Sequence, residues 1–223
     1  MVRAARKTPT KRRVEPYAQG DLDCVCAIYT IINAVRALCP EMTIGASSGL
    51  FRRLIRSLNE HANDALSPII IGTNRSLLQK LLTEAQSYVA KRFKVDLDIQ
   101  PKGRTVNAKS LDVVWDHLSA ILDDRTVVIL LLGGCCSHWT VVYDVKPRTM
   151  LLLDSGYLRT LTRSHCTLGP SKTHYRLKLQ AAIAITDIRV GSAVTMTGVK
   201  LEDGSLQVLT ATIGPARAGN PPL

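Results

Sequence analysis

No apolar run in the 223-residue sequence approaches the ~20 residues that a helix needs to cross a bilayer; the longest, Thr126 to Leu132, has the length of a strand. The basic N-terminus is not followed by the apolar core of a secretory signal. Both absences point to the cytoplasm, or to export by a specialised machine that leaves no such mark. The six cysteines include no C-x-x-C pair, and a C-x-C plus C-C-x-H set is a poor spacing for zinc. Cys24/Cys26 and Cys135/Cys136 are too close in sequence to bridge locally without strain, so reduced thiols are expected. Internal repeats and Gly/Ser linkers are missing as well, which makes one domain the simplest organisation.

What is present belongs to a folded chain: 46% of the residues are hydrophobic and 21% charged, outside the range of disordered sequences. The formal charge is +11. Arg3, Arg6, Lys7, Lys11, Arg12 and Arg13 against Glu15 concentrate +5 of it in the first sixteen residues and leave +6 for the rest. Residues 1–16 therefore read as a basic disordered tail. Such an arm suits an anionic partner, nucleic acid or a membrane surface, and is equally compatible with a solvated terminus without a ligand.

Helical spacing dominates the first half. Ile28, Ile31, Ile32, Val35 and Leu38 predict a helix over Cys24 to Leu38, closed by Pro40. Leu50, Leu54, Ile55 and Leu58 predict a second over Ser47 to Ala62, with Arg52, Arg53 and Arg56 on another face. A third runs from Arg75 to Lys91 behind the capping candidates Thr73 and Asn74, and a fourth from Leu111 to Leu122 behind Ser110. Alternation predicts strands over Lys94 to Gln100, Thr126 to Leu132, Trp139 to Val145, Thr149 to Leu153 and Tyr175 to Ile188. The short Lys-Pro-Arg connection at Pro147 makes two of them antiparallel neighbours. Val194 to Leu201 and Leu206 to Thr212 flank Glu-Asp-Gly-Ser, a hairpin signal. The expected class is α+β.

Two passages carry chemistry. Gln-Gly-Asp-Leu-Asp-Cys-Val-Cys-Ala-Ile-Tyr, residues 19–29, places two thiols at the first turn of a helix, where unpaired N–H groups and the peptide dipoles favour thiolate. Gly-Gly-Cys-Cys-Ser-His-Trp, residues 133–139, puts His138 at the opening of a strand. Asp154 ends the next strand, so an antiparallel hairpin sets a carboxylate beside an imidazole, where it holds the tautomer and stabilises the imidazolium. An amide at Gln19 can donate to the oxyanion of acyl transfer. Taken singly, each residue has an ordinary explanation: a small core thiol, a satisfied strand-end histidine, a surface carboxylate.

In this order Gln19, a helix-opening cysteine, His138 and Asp154 resemble the papain-like cysteine peptidase superfamily. The wording looks closest to its bacterial C39-like branches, in which Q…CG-x-Y…NA precedes H-[WY]-x-V-V and an aspartate. The likeness spans residues 17 to about 157. Ala27 departs from the glycine that usually follows the nucleophile, and Cys24 adds a second thiol. Matching C-A-I-Y, with Tyr29 and the Asn33-Ala34 pair in register, selects Cys26 as nucleophile; matching D-C selects Cys24. Residues two apart on a helix point about 200° apart, so only one of them can face His138.

The resemblance implies a papain-like fold, with an N-terminal helical half whose nucleophile helix packs on a C-terminal antiparallel sheet. The catalytic domain would cover residues 17–190, joined by a hairpin at 191–213 as part of the same domain, with a loose tail at 214–223. It implies hydrolysis of peptide or isopeptide bonds by Cys26, His138 and Asp154, assisted by Gln19, on a peptide or protein substrate without cofactor or metal. Transglutaminase-like or deamidase acyl transfer on glutamine side chains is the alternative within the same machinery. A non-catalytic protein that binds nucleic acid or peptides is the alternative outside it.

Overall fold

The computed structural model describes residues 14–19, 25–62, 72–101 and 108–189, and the backbone of 195–202 and 205–212. In chain order the elements are α1 (Cys26–Leu38), α2 (Ile44–His61), α3 (Arg75–Phe93), β1 (Leu97–Pro101), α4 (Leu111–Ile121), β2 (Thr126–Gly134), β3 (His138–Lys146), β4 (Thr149–Leu153), β5 (Thr160–Thr162), a 3₁₀ turn (Arg163–His165), β6 (Cys166–Thr167), β7 (Tyr175–Asp187), β8 (Thr195–Glu202) and β9 (Ser205–Thr212). The fold is mixed helix and antiparallel sheet, as the α+β reading expects. The main sheet has the order β1-β7-β2-β3-β4-β5, with β6 pairing in parallel to β7.

Each long strand presents alternate side chains to two different cores. On one face Val127, Ile129, Trp139, Val141, Leu153 and Ile183 pack with apolar residues of α1, α2 and α3. On the other, Val128, Leu130, Val142, Leu152 and Ala184 pack with Val114, Trp115 and Leu118 of α4. The central strands are therefore covered on both sides, which explains why β2 reads as an unbroken apolar run. Each fully buried Leu or Ile in these layers contributes about 1.5–3 kcal/mol of transfer free energy.

Element ends differ from expectation for local reasons. Helix α2 starts at Ile44 because the Thr43 hydroxyl accepts from Ala46 N at 3.2 Å and caps it. Helix α3 runs on to Phe93, and Lys94 takes a left-handed conformation (φ 58°) behind it, which delays the first strand to Leu97. The span around His165 and Cys166 holds β5, the 3₁₀ turn and β6, with Cys166 buried.

The chain divides into two compact units, Met1–Ile188 and Arg189–Leu223. Strands β8 and β9 pair only with each other, Glu202 opposite Ser205 at the turn. The hairpin expected near the C-terminus is thus present within the second unit. Residues 1–13, most of the basic tail, and 214–223 lie outside the described residues.

Candidate active site

Helix α1 brings a thiol to the sheet. It begins at Cys26, after Val25 in the N-cap position. The Val25 carbonyl accepts from both Ile28 N and Tyr29 N, at 2.9 and 3.3 Å. The N–H groups of Cys26 and Ala27, in the first turn, have no intrahelical acceptor and form the positive end of the helix.

Cys26, Thr30 and Asn33 follow at spacings of four and three and share one stripe of α1. The three are buried, and each polar atom goes to a distant part of the chain. Thr30 Oγ1 donates to the carbonyl of Trp139 at 2.8 Å, which pins α1 to the residue next to His138. Asn33 Oδ1 accepts from Tyr17 N at 2.8 Å and Asn33 Nδ2 donates to Tyr17 O at 3.1 Å, so the segment ahead of the helix is held by both backbone groups of one residue. Arg36 adds a bond to the Glu15 carbonyl and lies 4.1 Å over the Tyr17 ring.

The sheet supplies the imidazole. In the β3–β4 hairpin Val141 faces Leu153, so the start of β3 and the residue after β4 meet at the same end. His138 Nε2 lies 2.8 Å from Asp154 Oδ2. The sulfur of Cys26 lies near the same ring, where as an acceptor it favours the protonated imidazole. With Nε2 engaged by the carboxylate, Nδ1 is the nitrogen left for sulfur. The side chain of Asp154 is closed off (1% exposed) while that of His138 keeps an open edge (17%).

The other carboxylate oxygen, Oδ1, accepts from Gly156 N at 2.7 Å and Leu158 N at 3.2 Å. These bonds curl residues 154–158 into a turn whose exposed member, Tyr157, adopts a left-handed conformation (φ 66°). A methyl group on Gly156 would stand 3.2 Å from Asp154 Oδ1 and 3.6 Å from His138 Cε1, so glycine lets the turn close against the pair.

Burial works against a charged His138, but the hydrogen bonds to Asp154 and Cys26, and then the charges of both, outweigh it and carry the imidazole up to about 10. Burial would likewise raise Asp154; the His138 hydrogen bond and charge hold it below the usual carboxylate value, with smaller help from Thr140 and from Gly156 N–H. The Thr140 hydroxyl is buried and makes no well-formed hydrogen bond. At neutral pH the pair is imidazolium and carboxylate.

Gln19 reaches the same end of the sheet from the other direction. Its backbone N donates to the carbonyl of Ser155 at 3.0 Å. Its side-chain oxygen accepts from the Ser155 hydroxyl at 3.1 Å. Gln19, Cys26, His138 and Asp154 are thus linked through Ser155, Thr30 and the hairpin. Cys24 lies outside the described residues.

Of the other thiols and imidazoles, Cys136 lies near enough to the site to feel the charges of Asp154 and Cys26. Cys135 is exposed and Cys136 half-buried in the connection from β2 to β3, with Cys136 pushed up to about 11, chiefly by burial and then by its neighbour Cys135. Gly134 shapes that connection: at φ 84° a side chain there would run into the His174 carbonyl, 2.1 Å from its first carbon. His61 bonds the Ser57 carbonyl of its own helix, and His174 bonds Thr173. Among the described residues no group of three His, Cys, Asp or Glu is placed to hold a metal ion, and no helix is long and apolar enough to cross a membrane.

Sequence reasoning missed Thr30 and Ser155. Thr30 had a signal, a polar residue one turn after Cys26 on an otherwise apolar face. Ser155 had none beyond standing next to Asp154. Comparison with family models, with curated proteins and with solved structures returned no match.

Proposed function

We propose that the chain is a papain-like cysteine peptidase with Cys26 as nucleophile, His138 as acid and base, Asp154 as the group that orients His138, and Gln19 in the oxyanion site. The observation that carries this reading is one imidazole bonded to Asp154 at 2.8 Å with the sulfur of a helix-opening cysteine close beside it. A core histidine or a packing cysteine has no need of that arrangement.

The sulfur of Cys26, its proton held by His138, attacks an amide carbonyl and forms the C–S bond. The oxyanion of the tetrahedral intermediate takes hydrogen bonds from the Cys26 N–H and from the Gln19 amide. As the C–N bond breaks, His138 gives its proton to the leaving amine. Water then attacks the thioester, His138 takes its proton, and carboxylic acid and thiolate are released. Asp154 remains ionised and keeps Nδ1 turned to sulfur throughout. Ala27, where the resembling family carries glycine, is wholly buried and points about 100° away from Cys26. Its methyl therefore leaves the thiol's side of the helix unobstructed.

Intact-mass spectrometry after brief iodoacetamide treatment tests the assignment. Cys26→Ala and His138→Ala are expected to abolish the fast addition, and Cys24→Ala to retain it. Fast addition lost only in Cys24→Ala would move the nucleophile. Addition that ignores His138, with salt-sensitive binding to nucleic acid, would replace the enzyme by a binding protein.

A further inference from the structure

We propose that Lys178 and Arg176 form an acid-accepting subsite beside the reacting thiol, so that the chain prefers peptides with an aspartate or glutamate close to the scissile amide. The inference rests on the peptidase reading and adds to it the chemistry of the substrate.

The placement follows from strand register. Residues directly opposite in an antiparallel pair show their side chains on one face. Leu131 of β2 faces Trp139 of β3 on one side and Lys178 of β7 on the other, so the three form a row. Trp139 and Leu131 pack with the core under α1, which puts Lys178 on the sheet face that α1 covers. Gly133 faces Arg176 nearer the end of β2, and residues two apart on a strand share a face. His138 faces Leu132, between these two rows. Thr30, one turn after Cys26, holds the Trp139 carbonyl. At ~4.8 Å between neighbouring strands, β7 lies about 10 Å from β3. An extended substrate advances ~3.3 Å per residue, so a carboxylate on a neighbouring residue spans that gap.

Gly133 aims the lysine. A methyl group on it would stand 2.6 Å from Lys178 Cε and 3.5 Å from Nζ. The lysine stem therefore lies across the glycine and carries its ammonium along β2 toward the end where His138 opens β3. Both cations are half-buried, yet neither has an ion pair or a side-chain hydrogen bond among the described residues. Arg53, Arg125, Arg159 and Arg163, by contrast, each have a carboxylate. A partly buried charge without a counter-charge is unfavourable, and a carboxylate brought by the substrate relieves it. The net charge of +11 favours the approach of the same substrates.

A pool of proteome-derived peptides, with the cleaved bonds mapped by mass spectrometry, reads the preference directly. Aspartate and glutamate are expected to be enriched at a position close to the cleaved bond. The best-cleaved sequence is then made with glutamate, glutamine or lysine at that position. Lys178→Met, which keeps the stem, should lower the glutamate-over-glutamine ratio of kcat/KM about tenfold, and Arg176→Met by a smaller factor. Lys178→Glu should turn the preference toward the lysine peptide. Added salt should lower the ratio in the unsubstituted chain more than in Lys178→Met. If Lys178→Met fails to fold, Gly133→Ala makes the same comparison: it keeps both charges and pushes the stem aside, so the ratio should fall again.

Glutamate and glutamine peptides slowed equally by Lys178→Met would overturn the proposal, because the lysine would then serve packing alone. So would cleaved bonds without acidic enrichment, or an acidic preference that outlives both substitutions. A pool left intact would remove the peptidase reading itself, and this proposal with it.

Discussion

Helices α1 and α2 share one apolar core, yet their polar side chains reach very different distances along the chain. On α2 the contacts are mostly local: Thr43 caps Ala46, Ser47 returns to the Thr43 carbonyl, and His61 bonds the Ser57 carbonyl. A longer reach among the described residues is the half-exposed ion pair of Arg53 with Glu84, at 2.8 Å. On α1, Thr30 bonds a residue 109 positions away, and Asn33 clamps one 16 positions earlier. The lesson is that a polar stripe inside an apolar face marks a helix whose register matters. Burying such groups is costly unless they are paired, and a pair formed at a distance fixes one docking position and no other.

The site end sharpens this contrast most. Asp154→Asn is expected to lower turnover of an amide substrate by about 10³–10⁴-fold, the scale seen when a histidine loses its orienting carboxylate. The imidazole should fall from about 10 toward its ordinary range, read by NMR titration of the ring. The sign of the stability effect follows from the two shifts. Because His138 is raised in the folded state, its contribution is complete below its ordinary value of 6.5 and fades as pH climbs toward 10. Because Asp154 is lowered, its contribution is complete above 3.8 and fades as acid reaches its folded value. The stability gap between the unsubstituted chain and Asp154→Asn should therefore be widest between those ordinary values and close on the alkaline side, as measured by urea unfolding at a series of pH values.

Within α1, Asn33→Leu removes both bonds to Tyr17 and should cost about 2–3 kcal/mol in urea unfolding. Slower labelling of Cys26 should accompany it, because the segment that carries Gln19 loses its anchor. Thr30→Val keeps the shape and deletes one hydrogen bond, leaving the Trp139 carbonyl with one partner fewer, for about 1–2 kcal/mol. If Cys26 alkylation is unchanged in Thr30→Val, the pin does not set the distance between thiol and imidazole, and the contrast between the helices is one of stability alone. Arg53→Ala on α2 is the smallest change, below about 1 kcal/mol for a half-exposed pair. It should leave labelling untouched.

Much of the secondary structure is legible because it is a local property. Apolar spacing along α1, α3 and α4 places each helix within a few residues of where it lies. The meeting of His138 and Asp154 is legible for the same reason: the two residues belong to one hairpin, and a short turn at Pro147 brings their ends together whatever the rest of the chain does. The short strands at Thr160–Thr162 and Cys166–Thr167 were not, since two or three residues carry no period.

The sequence by itself determined which stretches are helix or strand, which side of each is apolar, and the pairing of an imidazole with a carboxylate. Only the tertiary structure decided that α4 covers the opposite sheet face from α1, that Thr30 locks α1 beside His138, and that Ser155 receives Gln19 across 136 positions. The division has a physical cause. Periodicity records how a segment meets water, which depends on its own residues, whereas the choice of which surface covers it is made by packing and by buried hydrogen bonds between residues that are neighbours only once the chain has folded.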